Sequence, residues 1–201
     1  MEQVILVDEY DNPIGLMEKM QAHITPHLHR AFSIFVFNSK GELLMQQRAF
    51  SKYHSPGLWT NTCCSHPREN ETIEEATSRR LMEEMGMECN MKEAYTFIYQ
   101  APVGQGLTEH ELDHVVIGHS DDTPIINKDE VASWKYMNLT DLENDIKERI
   151  INTLITTALL PSNTNQQLKD FAESLQEDKK LRDSMKENLS DSPHFREMMQ
   201  K

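Results

Sequence analysis

The sequence predicts an α+β fold, and two observations carry that prediction. Short β-prone runs bounded by turn residues recur between Val4 and Met137, and a single well-marked helix, opened at Thr72 and closed at Gly86, stands apart from them. With 201 residues, 38% of them hydrophobic, the chain has material for one domain of ordinary size and an appendage. The composition changes near residue 150, so residues 1–150 read as the domain and 151–201 as an atypical C-terminal segment.

Taken in order, Val4-Ile5-Leu6-Val7 followed by Asp11-Asn12-Pro13 reads as a strand entering a hairpin. Glu18 to Ala22 suits a short helical turn. His23, His27 and His29 then fall in what reads as a loop with three imidazoles, a density that favours a metal or acid/base site over solvated surface. Arg30 to Phe37 is sheet core, and Asn38-Ser39-Lys40-Gly41 before Leu43-Leu44-Met45 reads as a turn into an antiparallel partner. Arg48 and Lys52 follow on a loop, either as solvated cations or as a grip for phosphate oxygens.

Thr60-Asn61-Thr62-Cys63-Cys64-Ser65-His66-Pro67 reads as a reactive loop ahead of the helix. Thr72-Ile73-Glu74-Glu75 has the form of a capping box and Gly86 that of a C-terminal stop. Arg79 with Glu83, and Arg80 with Glu84, lie four apart and suit surface ion pairs, although adjacent carboxylates also suit a cation. Tyr95 to Tyr99 is a strand candidate, and Ala101 to Gly106 reads as a loop. Glu109, Glu111 and Asp113 then alternate onto one face of the next strand, as an exposed acidic edge or as a cation site. Val131 to Met137 is a further strand and Thr140 to Glu148 a short helix. Leu168, Phe171 and Leu175 recur at helical spacing beyond a polar linker, as a solvated tail or an oligomer contact.

A formal charge of -13 argues against general binding to nucleic acid or a membrane surface, but permits a small anion held through a metal. Met1-Glu2-Gln3 opens no signal-peptide pattern, and no apolar run reaches the ~18 residues of a membrane span, so a cytoplasmic protein is expected. Cys63, Cys64 and Cys89 are an odd count that suits reduced thiols rather than a disulfide framework.

The Cys-Cys-Ser-His-Pro stretch, Leu28-His29-Arg30-Ala31-Phe32-Ser33, Glu109-His110-Glu111 and the helix ending Glu83-Glu84-Met85-Gly86 together resemble the type I isopentenyl-diphosphate isomerases, which have the Nudix fold. The resemblance runs from about Val4 to about Leu142. It implies a mixed β-sheet sandwiched between helices. Anchored on Gly86, the Nudix pattern puts Glu71 on its first Glu, Arg79 on its Arg, Ser65 where Gly is expected, and Arg80 where the hydrolases carry a metal-binding Glu. Paired arginines are what the isomerase branch has, so the resemblance implies isomerisation of isopentenyl and dimethylallyl diphosphate. A Nudix hydrolase of nucleoside diphosphate derivatives, or a noncatalytic binding protein built on the isomerase, are the alternatives.

By the same resemblance, Cys64 and Glu111, with Tyr99 as helper, are the catalytic groups. His23, His29, His66, Glu109 and Glu111 are implied ligands of a tightly held Zn or Mn, and Glu84 of a Mg bridged to the diphosphate. Lys19, Arg48, Lys52 and Arg80 are implied diphosphate contacts. No flavin or nucleotide cofactor is expected, and the protein is expected to be a monomer or weak homodimer. These types suit the reaction, because moving the double bond adds a proton at one carbon and removes one from another through a tertiary carbocation. The family places a Trp over that cation from a C-terminal helix, whereas this chain has no Trp after Trp134, leaving Trp59, Tyr53 or Phe97 to compensate.

Overall fold

Strand β3 (His29–Phe37) organises the sheet. Its alternation sends Phe32, Ile34 and Val36 to one face, where all are fully buried, and Ser33 to the other. A computed structural model describes residues 2–52 and 55–145. The C-terminal segment 151–201 and Tyr53 lie outside the described residues.

One edge of β3 is taken by β8 (Leu107–His119), parallel over the whole of β3 from His29↔Glu111 to Phe37↔His119. The other edge is shared by three antiparallel neighbours: β1 (Gln3–Val7) at His29, β6 (Cys63–Ser65) at Phe32 to Ile34, and β4 (Leu43–Arg48) at Phe37. β1 turns back into β2 (Pro13–Glu18), β8 pairs with the long β7 (Met91–Gly104), and β4 continues against β5 (Trp59–Thr60) and β9 (Val131–Met137). The result is a nine-stranded mixed sheet.

Several local expectations are corrected. The turn at Asn38 to Gly41 forms, but β3 and β4 share only the pair Phe37↔Leu43. Where the two strands part, Thr62 bridges them: its hydroxyl donates to the Leu44 carbonyl at 2.6 Å and accepts from the Val36 N–H at 2.9 Å, standing in for the ladder. The cysteine stretch is not a loop but two short strands. Ala101 to Gly104 continues β7, and only Gln105 and Gly106 make the turn into β8, with φ of 56° and 74°. Because β8 is flanked by β3 and β7, its acidic row is interior rather than an edge.

Helix α2 (Ile73–Met85) forms as predicted. Thr72 and Glu75 make the reciprocal capping box, and Gly86 takes the left-handed conformation at φ 61°, with its N–H on the Met82 carbonyl. A Cβ at Gly86 would lie 2.4 Å from the Ile125 carbonyl oxygen, so both conformation and contact demand glycine. Ala76, Leu81 and Met85 join Phe32, Ile34, Val36, Leu44 and Val131 in the main core. Past the helix, the Ile125 N–H reaches the Met85 carbonyl at 2.8 Å and the Asn127 N–H the Glu84 carbonyl at 2.9 Å, which pins the segment leading to β9 against the end of α2. Helical residues 139–145 begin where Asn138 accepts the Asp141 N–H. No described helix is long and apolar enough to cross a membrane.

Candidate active site

The three early histidines do not share a loop. His23 lies in α1 (Lys19–Ile24), a short helix capped by Glu18, His29 is the first residue of β3, and His27 alone is in the connection, exposed. Local pattern missed this because α1 and β3 are separated by only four residues. The folding brings His23 and His29 together with His66, just past β6, and Glu111, opposite His29 on β8. One ligand atom from each of these four buried residues lies within 4.8 Å of the others.

Two of the three imidazoles are already oriented. Nδ1 of His23 faces the Lys19 carbonyl at 2.7 Å and Nδ1 of His29 the His27 carbonyl at 2.8 Å, so in each ring Nδ1 carries the proton and Nε2 is left as the donor atom. Nε2 of His29 and Nε2 of His66 stand 3.2 Å apart, and Nε2 of His66 is 3.1 Å from Glu111 Oε1. Burial lowers the pKa of His23 and lowers that of His66 to about 4, holding both as the neutral rings that bind metals. Three imidazole nitrogens and one carboxylate facing a common point fit a divalent metal.

Glu109, the fifth expected ligand, stands outside this group. The Tyr99 hydroxyl ties it to Glu111, at 2.9 Å from Glu109 Oε2 and 2.7 Å from Glu111 Oε2. Since one phenol proton cannot serve two ionised carboxylates, one of the contacts needs a proton from the carboxyl side. Glu109 suits that role, because burial, reinforced by the Glu111 charge, pushes it up to about 7. Asp113 is pushed up to about 8 for the same reasons. Burial also opposes ionisation of Glu111, but the adjoining His29 and His66 rings outweigh it and hold this carboxyl well below the usual range.

Cys64 projects from β6 towards the same space and is open to solvent there, whereas Cys63 is fully buried in the core. Crowding by surrounding protein at the foot of the cavity, then the Asp113 charge, pushes the Cys64 thiol up to about 12. Its Sγ–H donates to Asn61 Oδ1 at 2.9 Å, and Ser33 Oγ lies 3.6 Å away. Asn61 is itself fixed, its amide donating to the carbonyls of Ile34 and Cys63.

A cavity of about 430 Å³ gathers these groups. Its lining includes Lys19, His23, Arg48, Lys52, Cys64, His66, Arg80, Glu84, Tyr99, Glu109 and Glu111, so every predicted site residue except His29 reaches the wall, and His29 lies directly behind it. Arg48 ends β4 rather than sitting on a loop. Arg80 pairs with Glu83 at 2.8 Å and with Glu84, and Arg79 holds Glu71 through two bonds of 2.6 and 2.8 Å. Trp59 also lines the cavity, with the Lys135 ammonium 4.4 Å from its ring centroid. Sequence reasoning passed over Gln46, which donates to Glu84 Oε2 at 2.8 Å, Asn61 as a partner of Cys64, and Glu130, which contacts Lys52 and Arg80. Neutral amides and a lone acid carry no pattern of their own.

The sheet, the capped helix and its Arg79–Glu71 clasp define a Nudix-domain protein, and the NUDIX domain model matches residues 27–156. The DR0079 protein of Deinococcus radiodurans shares this fold, with a TM-score of 0.60 at 24% identity over 73% of this chain and 90% of its own. Within the superfamily, the chain belongs to the isopentenyl-diphosphate Delta-isomerase family. It is 54% identical over 148 residues to isopentenyl-diphosphate Delta-isomerase 2 of Aromatoleum aromaticum, covering 74% of this chain and 78% of the relative. It is 55% identical over 141 residues to isopentenyl-diphosphate Delta-isomerase 2 of Photorhabdus laumondii, covering 70% and 80%.

Proposed function

We infer that the protein interconverts isopentenyl diphosphate and dimethylallyl diphosphate, and that Cys64 and Glu111, assisted by Tyr99, move the protons. The observation that carries the assignment of residues is the single cavity in which a protonated thiol, an ionised carboxylate with a phenol on it, and a group of cations meet. A proton added to the terminal methylene carbon leaves a tertiary cation at the neighbouring carbon, and loss of a proton from the carbon nearer the diphosphate closes the new double bond. Each turnover adds one proton and removes one, so one group acts as acid and the other as base. The reverse direction exchanges the two roles.

His23, His29, His66 and Glu111 would hold a Zn or Mn ion, with Glu109 adjoining through Tyr99. When bound, that ion supplies positive charge that fixes the protonation of Glu111. Glu84, with the Cys64 carbonyl, is assigned to Mg shared with the diphosphate, which suits an ion that takes few carboxylates and keeps phosphate oxygens. Lys19, Arg48, Lys52 and Arg80 are assigned to the diphosphate. Trp59, which lines the cavity, is assigned as the aromatic wall for the cation. Water excluded from the carbon chain cannot trap the cation as an alcohol. Hydrolysis is disfavoured by Arg80, whose guanidinium occupies Glu83 and Glu84 where a hydrolase needs a further carboxylate. The reading is completed by a cytoplasmic monomer or weak homodimer acting on a small soluble diphosphate, without nucleic acid or membrane.

Incubation of the full chain with isopentenyl diphosphate, Mg and Zn or Mn tests this. Acid-labile allylic product is expected from the wild type and none from Cys64→Ala. Full activity in Cys64→Ala would overturn the assignment of the thiol.

A further inference from the structure

Two of the four cations assigned to the diphosphate share a counterion that the reaction does not use. Glu130 sits in the turn before β9, and its Oε2 contacts Lys52 Nζ and, at 3.5 Å, Arg80 Nη2. Lys52 follows β4 and Arg80 lies on α2, so the carboxylate bridges two parts of the chain that bear the grip. Its backbone is anchored to both. The Ala49 N–H donates to the Glu130 carbonyl at 2.9 Å, and the Glu130 N–H donates to Asn127, whose own N–H is on the Glu84 carbonyl. The three side chains are 24%, 23% and 18% exposed, too enclosed for salt to screen them as it would a surface pair. All three line the cavity.

A carboxylate at this place is at odds with holding a polyanion. It repels the arriving phosphates, and it occupies hydrogen-bond positions that phosphate oxygens need. Without Glu130, Arg80 would keep its helix partners Glu83 and Glu84, but Lys52 would lose the carboxylate it pairs with and stand as an enclosed positive charge beside the guanidinium, a costly arrangement. We propose that Glu130 is a resident stand-in for the diphosphate: it keeps Lys52 paired beside Arg80 in the free protein and competes with phosphate oxygens for both cations when substrate binds. It is a positioning residue that sets how tightly any diphosphate is held. Because isopentenyl and dimethylallyl diphosphate carry the same headgroup, both are weakened alike, which speeds release of product without favouring one bound species over the other.

This inference rests on the assignment of Lys52 and Arg80 to the diphosphate, and the test separates the two. Inorganic pyrophosphate with Mg is titrated calorimetrically into the full-length wild type, Glu130→Gln, Glu130→Asp and Lys52→Met. Removing one like charge from an enclosed site should tighten binding by about tenfold in Glu130→Gln. Glu130→Asp, with its charge drawn back by one methylene, should fall between that variant and the wild type. A damaged fold does not produce tighter binding, so the sign of the change is diagnostic. If neither Glu130 variant binds pyrophosphate more tightly while Lys52→Met binds it more weakly, the stand-in is overturned and the grip survives. If Lys52→Met binds as well as the wild type, the grip itself is wrong.

Discussion

Thr62 offers a measurable link between the fold and the catalytic strand. It is fully buried, and its hydroxyl serves the Val36 N–H at 2.9 Å and the Leu44 carbonyl at 2.6 Å, where β3 and β4 have separated. Thr62→Val keeps the shape and removes both bonds. No cavity opens, so the loss is that of two buried main-chain groups left without partners, each costing roughly 1–3 kcal/mol. The added methyl returns about 1 kcal/mol, so the net destabilisation should be about 1–5 kcal/mol, with about 3 kcal/mol at the middle of the range. Thr62→Ser keeps the hydroxyl and loses one methyl group, for about 1 kcal/mol. Urea unfolding followed by circular dichroism measures both variants. The reasoning is refuted if the Val variant is as stable as the Ser variant. Because Thr62 leads directly into Cys63 and Cys64, isomerase activity should fall more in the Val variant than in the Ser variant.

Three further outcomes follow from the same contacts. His29→Ala removes one imidazole from the group and should weaken divalent-metal binding by at least roughly 100-fold, seen as loss of bound metal after dialysis against a chelator. Tyr99→Phe removes the hydroxyl that joins Glu109 to Glu111 while keeping the ring stacked on Phe97 at 5.6 Å, so kcat should drop about 100-fold or more in a protein that remains folded by circular dichroism. Hydrogen bonds from Arg79 hold Glu71 below its usual value, so its stabilisation is complete above the unfolded-state pKa and is lost as pH falls through the lower folded-state one. Melting temperature should therefore decline less steeply between about pH 5 and pH 3 in Glu71→Gln than in the wild type, and equal slopes would argue against the clasp.

Legibility in the sequence follows the range of the forces involved. Helix α2 was fully readable because Thr72, Glu75 and Gly86 act on their own turns. The acidic row of β8 was readable because a period of two is local. The pairing of β8 with β3 was not, since nothing near Glu111 names His29 as its neighbour. The site residues themselves were found through the motif, and all reach one cavity or its back wall. What the motif left out are partners chosen by tertiary placement: Asn61 matters because Ile34 and Cys63 lock its amide, and Gln46 because β4 passes beneath Glu84. The placing of His23 in a loop failed because a helix of one and a half turns has too few positions to show a period.

The parallel register of β3 and β8 also dictates when a site can exist. His29 and Glu111 are joined across 82 residues (111 − 29 = 82), and every pair of that ladder spans the same distance. Such contacts repay their loop-closure entropy only after most of the chain is in place. A nascent chain emerging from the ribosome therefore displays its three histidines and both motif cysteines well before the carboxylate that completes them. Maturation of the centre must therefore wait for β8 and be coupled to closure of the sheet rather than to its beginning.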